Sequence, residues 1–550
     1  MGFLLGLIFL IANLLTNSNY GFTWDLPHHF NAGLRHLGLP PVDSGFGTQP
    51  YGPIADTLPV ISWLYLFKNF NILPKDEAYH IPIILYGSLG IVIIYYFTKK
   101  TFGLLPAFFS AVFLALYPRY IGHIHNNMKD PFSAVTIALA IYSFLWIINP
   151  GKKSPFSYLL SLIIPPLVVG IAFNTKVNAI LIFPIIILWL LISYRDKIKI
   201  SFPKIWNSKI GPISFALLLA YLLLSVIFSL LIWWPFWQYP LFQLKDMVRH
   251  FSEGTTGFRL LYYGKIYFAN INVPWHYGIG YLAAVTPAPV LILAIIGFIK
   301  AIFDTFTLKN RYSGLVLTWF LIPTLKYLDP KIGVIDGIRH FMEAVFPLMI
   351  FAGIGTQIIV KFCGKTKNFC WSILSRRQLP WKNLELIRQR IKTTKIFRST
   401  SAKLIFQTTL LFLIIFYLLS QIISVHPYET AYFGEWLGGL KGANKKFDLE
   451  FWGNSLKEGS RFLNNYAPKN SVVWVPMAEQ VAKEYLRPDI KVTQYPVVNT
   501  QFVMFFNRPT FFDYRQNQVF FDYLQEEKPI FVINRQQTPL LWIFKYVNKQ

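Results

Sequence analysis

Apolar runs of membrane-crossing length recur along nearly the whole chain, and they restrict its fold more than any other feature. They fall at roughly 2–15, 80–98, 104–118, 131–149, 157–172, 179–193, 212–234, 281–299, 313–327, 341–360 and 404–424. A helix needs about 20 mostly apolar residues to span the hydrocarbon of a bilayer. Of the 550 residues, 54% are hydrophobic and only 14% are charged. A soluble core could not hide that much apolar surface. The expected fold is a polytopic α-helical membrane protein with about 11 transmembrane helices.

The net charge of +26 invites a nucleic-acid reading, but its placement argues for topology. One set of alternate loops (99–103, 150–156, 194–211, 300–312 and 361–403) holds 24 Lys and Arg against 3 Asp and Glu. The opposite loops and the tail are nearly balanced. This is the positive-inside pattern, so the basic face is expected to be cytosolic, with no nucleic-acid partner. An odd number of spans then puts the N-terminus in the cytosol and the C-terminus outside, in a plasma or inner membrane. The first apolar run lacks a basic leader and a clear cleavage site, so it reads as a short first transmembrane helix. Cys363 and Cys370 both fall in the basic loop, where a disulfide is not expected.

Two units follow from this topology. Residues 1–424 form the membrane unit, with outer loops at 16–79 and 235–280 and the basic cytosolic loop at 361–403, which could rest on anionic lipid headgroups. Residues 425–550 alternate short β-like runs (471–475, 502–506, 529–534) with helix-like ones (456–466, 517–526) and read as a small extracytoplasmic α/β domain. Pro27–Leu37 is an amphipathic candidate in the first outer loop.

Ionisable residues gather where spans meet the outer face. Asp25 follows the first span. His123, His125, Lys129 and Asp130 stand between the third and fourth. Lys176 lies between the fifth and sixth, Arg259 in the second outer loop, and Asp336, Arg339 and His340 before the tenth. Charged groups near a bilayer are costly and tend to mark function. A carboxylate can take a proton from a hydroxyl nucleophile, and Lys or Arg can neutralise a phosphate leaving group. That combination suits glycosyl transfer from a lipid-linked sugar phosphate. No Gly-rich nucleotide-binding signature is present.

Several motifs carry a family resemblance. They are Gly21-Phe-Thr-Trp-Asp25-Leu-Pro, His125-Asn-Asn-Met-Lys-Asp130-Pro, Gly170-Ile-Ala-Phe-Asn-Thr-Lys176, Val273-Pro-Trp-His-Tyr277 and Gly337-Ile-Arg339-His340. After the last span come His426-Pro-Tyr-Glu-Thr-Ala-Tyr-Phe-Gly and Phe451-Trp-Gly-Asn-Ser-Leu-Lys-Glu. Together they resemble the dolichyl-phosphate-mannose–protein mannosyltransferase family and its bacterial relatives, integral-membrane glycosyltransferases of the GT-C fold. The resemblance covers most of residues 20–460.

It implies Asp25 as general base and Asp130 as a second catalytic acid near donor or acceptor. Lys176, Arg259, Arg339 and His340 are then expected on the donor phosphate, and Lys129, His28, His29, Trp275 and Tyr277 on substrate. Many relatives have a second acid directly after the first, where this chain has Leu26, so no metal and no cofactor are expected. The implied reaction is inverting transfer of a monosaccharide from a polyprenyl-phosphate carrier to a protein or glycolipid hydroxyl, among membrane lipids. The rival is a transporter or flippase of lipid-linked saccharides, which would favour polar groups at mid-membrane depth and pseudo-symmetric halves. For Asp25 and Asp130 the plainer alternative is helix capping, because each precedes or starts a helix beside a proline.

Overall fold

The computed structural model describes residues 1–42, 52–148, 154–199, 209–210, 213–376, 400–512 and 514–547. Most of the expected basic loop (377–399), part of the first-loop turn (43–51) and the Cys363 and Cys370 side chains lie outside this description.

Every expected span falls largely on helix, although 281–299 is broken at 285–287 and 212–234 takes in the strand residues 213–214. In chain order the helices are α1 Gly2–Thr16, α2 Leu26–His36, α3 Ile54–Trp63, α4 Lys75–Phe102, α5 Leu104–Ala115, α6 Pro118–Asn126 and α7 Asp130–Ile148. They continue as α8 Pro155–Thr175, α9 Ile182–Ser193, α10 Phe215–Ile232, α11 Trp234–Gln238, α12 Pro240–Glu253 and α13 Tyr277–Ala284. Then come α14 Ala288–Phe306, α15 Arg311–Leu325, α16 Val345–Arg376 and α17 Thr400–Val425. Among the described residues, seven helices are long and apolar enough to cross a membrane, or eight if a bent pair counts as one span. Of the remaining expected spans, 179–193 and 313–327 fall largely on the shorter helices α9 and α15, and 404–424 falls within α17.

The helix ends follow local chemistry. Ser154 caps α8 through Ser157 N, and Ser214 caps α10 through Leu217 N. The bent pair is α5 and α6, which meet at 54°. Pro118 starts α6, where its missing N–H costs no helical bond. The 119–129 stretch, expected as an outer loop, is therefore largely a short helix, and it is buried. In the membrane unit, α14 and α16 cross closely. A Cβ on Gly355 would sit 1.9 Å from the Leu293 carbonyl oxygen, so only glycine allows that approach.

The tail holds a five-stranded mixed sheet. After three two-residue strands (β1 Ile198–Lys199, β2 Lys209–Ile210, β3 Ile213–Ser214) and the hairpin β4 Arg259–Tyr262 with β5 Lys265–Phe268, its strands are β6 Val472–Trp474, β7 Lys491–Thr493, β8 Phe502–Phe506, β9 Phe531–Arg535 and β10 Thr538–Lys545. Their order is β7-β6-β8-β10-β9. Strands β6, β7 and β8 pair in parallel, while β10 pairs antiparallel with β8 and β9. Helices α18 Leu456–Tyr466, α19 Glu479–Tyr485 and α20 Tyr514–Glu526 accompany the sheet. β7 and β10 were not foreseen from the sequence.

Candidate active site

The site is built at one end of the helix bundle, where helix ends and helix starts meet. Arg339 is its centre. Its Nε donates to Asp130 Oδ2 at 3.1 Å, and its Nη1 reaches Asp25 Oδ2 at 3.0 Å and Asp336 Oδ2 at 2.8 Å. Three carboxylates from three separate parts of the sequence thus share one guanidinium. Nη2 is bonded to none of the three.

Each carboxylate is placed by a different local device. Asp130 begins α7, where the helix dipole favours negative charge. Asn127 Oδ1 accepts from the backbone N–H groups of Lys129 and Asp130, and Asn127 Nδ2 donates to Asp130 Oδ2 at 2.6 Å. The other Asp130 oxygen is bonded to Lys176 Nζ. Lys176 follows the last residue of α8 in an extended conformation. Asp25 precedes α2, but its side chain makes no capping bond. It turns to Arg339 instead, so capping does not account for it. Asp336 has φ +56°, and Gly337 after it has φ +69°. This left-handed turn aims the Asp336 carboxylate inward, where it also accepts from Arg508 Nη2 at 2.5 Å and Trp452 Nε1 at 3.1 Å.

The carboxylates differ sharply in exposure. The Asp25 side chain is 37% exposed, and those of Asp130 and Asp336 are 1% and 3%. Only Asp25 can meet an incoming group without rearrangement. Burial pushes its carboxyl up, but Arg339 and then His29 outweigh that, so it titrates below its ordinary value. It is therefore ionised at neutral pH.

A second buried cluster adjoins the first through the Lys129–Asp130 step. Asp56, on α3 and fully buried, takes His29 Nδ1 at 2.9 Å and Lys129 Nζ at 3.0 Å. Burial raises its carboxyl, yet Lys129 and His29 hold it well below the usual carboxylate range. His28 is pushed down to about 4, by burial first and then by His29 and Lys129, so it is neutral at pH 7.

Among the expected site residues, Asp25, Asp130, Lys176 and Arg339 are brought together. Lys129 and His29 lie one ion pair away, on Asp56. His340 follows Arg339, and its carbonyl accepts from Lys326 Nζ at 2.7 Å and Asn178 Nδ2 at 3.2 Å. Three others are placed differently from the expectation. Arg259, on β4, donates to the Phe512 carbonyl at 2.7 Å. Trp275 is exposed, its ring edge-on to His276. Tyr277 is buried in an aromatic cluster with Tyr262, Tyr281 and Tyr327, so its ring fills core. Motif matching selects residues by type and cannot tell a packed ring from a binding one.

Sequence reasoning missed Asp56 and Arg508, and it placed Asp336 among the outer-face groups without giving it a role. Asp56 sits in no motif. Arg508 lies in the tail, 172 residues from the aspartate it holds. Its guanidinium also stacks 3.5 Å from the Phe511 ring centre. Trp452 belongs to a noticed motif, and its ring lies 5.4 Å from the Arg339 guanidinium carbon. Among the described residues, no group of three or more His, Cys, Asp or Glu is arranged to hold a metal ion.

Residues 56–234 match the family model of dolichyl-phosphate-mannose-protein mannosyltransferase. No curated protein matches the chain. Among solved structures, ArnT from Cupriavidus metallidurans in the apo state aligns over 98% of this chain and 97% of its own, with a TM-score of 0.54 and 11% identity. The same protein bound to undecaprenyl phosphate aligns over the same shares, with a TM-score of 0.52 and 12% identity. At such identity these likenesses speak for the fold alone, and the family match covers the segment that carries Asp56, Asp130 and Lys176. The chain shares the fold of this integral membrane protein and matches the dolichyl-phosphate-mannose-protein mannosyltransferase family model over residues 56–234.

Proposed function

We propose that this enzyme moves a monosaccharide from a polyprenyl-phosphate carrier to an acceptor hydroxyl, with inversion, at the extracytoplasmic face of a cell membrane. The observation that carries the reading is the half-exposed Asp25 carboxylate sharing the Arg339 guanidinium with buried Asp130. Asp25 accepts the hydroxyl proton as the acceptor oxygen attacks the anomeric carbon. The bond from that carbon to the phosphate oxygen breaks, and the polyprenyl phosphate leaves with its electron pair. The Nη2 hydrogens of Arg339, which no carboxylate among the described residues takes, receive the departing phosphate. Asp130 acts by fixing Arg339 and Lys176. The undecaprenyl phosphate bound by the ArnT structure supports a carrier of this class. A protein or a glycolipid fits as acceptor.

The test is transfer by purified protein from a polyprenyl-phosphate monosaccharide. Asp25→Asn should lower the rate by about 10²–10⁴-fold, the usual contribution of a general base, while donor binding persists. Transfer within threefold of wild type would reject Asp25 as the base.

A further inference from the structure

The stretch that leads into Asp25 is neither helix nor strand between Tyr20 and Thr23. Buried backbone groups in such a stretch need partners from elsewhere, and here the tail supplies them. The Ser18 and Tyr20 carbonyls accept from Lys457 Nζ at 2.9 and 2.6 Å. Phe22 N donates to Tyr485 Oη at 2.6 Å, and Trp24 N donates to the Trp452 carbonyl at 2.9 Å. Tyr20, Phe22 and Trp24 are every second residue, which is how an extended segment presents one edge to a partner. Gly21 lets the two surfaces meet. A Cβ there would sit 2.9 Å from Tyr485 Oη and 3.0 Å from Lys457 Cδ.

The tail side of this contact is fixed in turn. Lys457, in the first turn of α18, is only 5% exposed. A buried ammonium needs all three of its donors used and its charge paired. Lys457 meets both needs, with the two loop carbonyls and with Asp76 Oδ2 on α4 at 2.7 Å. Tyr485, the last residue of α19, donates its hydroxyl to the same Asp76 oxygen at 3.0 Å while accepting from Phe22. Asp76 thus aims both side chains at the loop.

Asp25 depends on that frame. Its side chain makes no capping bond, and its one ion pair among the described residues is with Arg339 Nη1 at 3.0 Å. Arg339 is anchored separately, by Asp130 and Asp336. Where the carboxylate stands relative to the guanidinium therefore follows from where the loop is held. We infer that the tail is a working part of the active site, with Lys457 and Tyr485 as positioning residues that hold the 18–24 backbone so that Asp25 meets the acceptor hydroxyl. The inference rests on the reading of Asp25 as the base. Both side chains act through the backbone, and a displacement of about 1 Å at a reacting group can cost about 10²-fold in rate.

Transfer kinetics of the full-length protein test it. Tyr485→Phe removes one oxygen and keeps the ring. It should lower kcat by about tenfold or more and leave KM for a polyprenyl-phosphate monosaccharide within about twofold, as expected when only the transition state loses an interaction. Gly21→Ala, which presses on the same two side chains from the loop side, should give the same split. In the Asp25→Asn background, Tyr485→Phe should cost nothing further, because the base it positions is already gone. A tail that only stabilises the fold would instead give the same fold-loss in both backgrounds. That result, or wild-type kcat in both Tyr485→Phe and Gly21→Ala, would overturn the inference and leave Asp25 standing as the base. Near wild-type transfer by Asp25→Asn would overturn the base itself, and this inference with it.

Discussion

Removing the charge from Asp25 and from Asp130 should separate a reacting carboxylate from a supporting one. Both touch Arg339, yet their surroundings differ. In Asp25→Asn, Arg339 keeps Asp130 and Asp336, and the lost partner is the 37% exposed one. Such a pair is worth about 0–1 kcal/mol, so the melting temperature in detergent should barely move. In Asp130→Asn, Lys176 loses the carboxylate that neutralises it while only 6% exposed. Arg339 loses a buried partner in the same step. Leaving a buried charge uncompensated costs about 3–5 kcal/mol. A large drop in melting temperature is expected, with activity loss following from lost structure. The assay is a thermal melt of each purified variant beside its transfer rate. Asp25→Asn should be stable and inactive, Asp130→Asn unstable. If the two melts shift alike, or Asp130→Asn melts with wild type, the division of roles drawn from their burial is wrong.

Asp25 is held below its ordinary value by Arg339, so the acid limb of the transfer rate should lie below the normal carboxylate range, with activity lost only as pH falls through that lowered value. Arg339→Gln should move the limb upward, and a pH–rate profile of both proteins checks it. Gly33 packs α2 onto α3, where an added Cβ would sit 2.3 Å from the Asp56 carbonyl oxygen. Gly33→Ala should force the two helices apart, disturb the His29–Asp56 pair and lower both melting temperature and transfer. Glu450 is buried in the tail, and burial pushes its carboxyl up to about 7, against hydrogen bonds from Ser455. The folded state therefore holds a proton that the unfolded chain releases near 4.5. This contribution is full below the unfolded value and is lost as pH rises toward 7, by up to about 3 kcal/mol. Glu450→Gln should flatten that loss, seen as a smaller drop in melting temperature between pH 5 and pH 8.

Much of the architecture was legible because lipid leaves few choices. A backbone in hydrocarbon must bond to itself, so each apolar run had to become a helix, and the basic residues marked one set of loops. Local chemistry also carried α18, read at 456–466 and found at Leu456–Tyr466. The motifs named Asp25, Asp130, Lys176 and Arg339, which the structure gathers through one guanidinium and the Asp130 carboxylate. Tertiary structure alone decided the rest. It chose which carboxylate faces water, since exposure depends on what packs over a residue rather than on its neighbours in sequence. It recruited Asp56 and Arg508, whose partners lie far along the chain, and it sent Arg259 and Tyr277 elsewhere. Sequence patterns record the medium each segment must face, whereas ion pairs in a buried cluster are set by which helix ends converge, and convergence leaves no periodic trace in the chain.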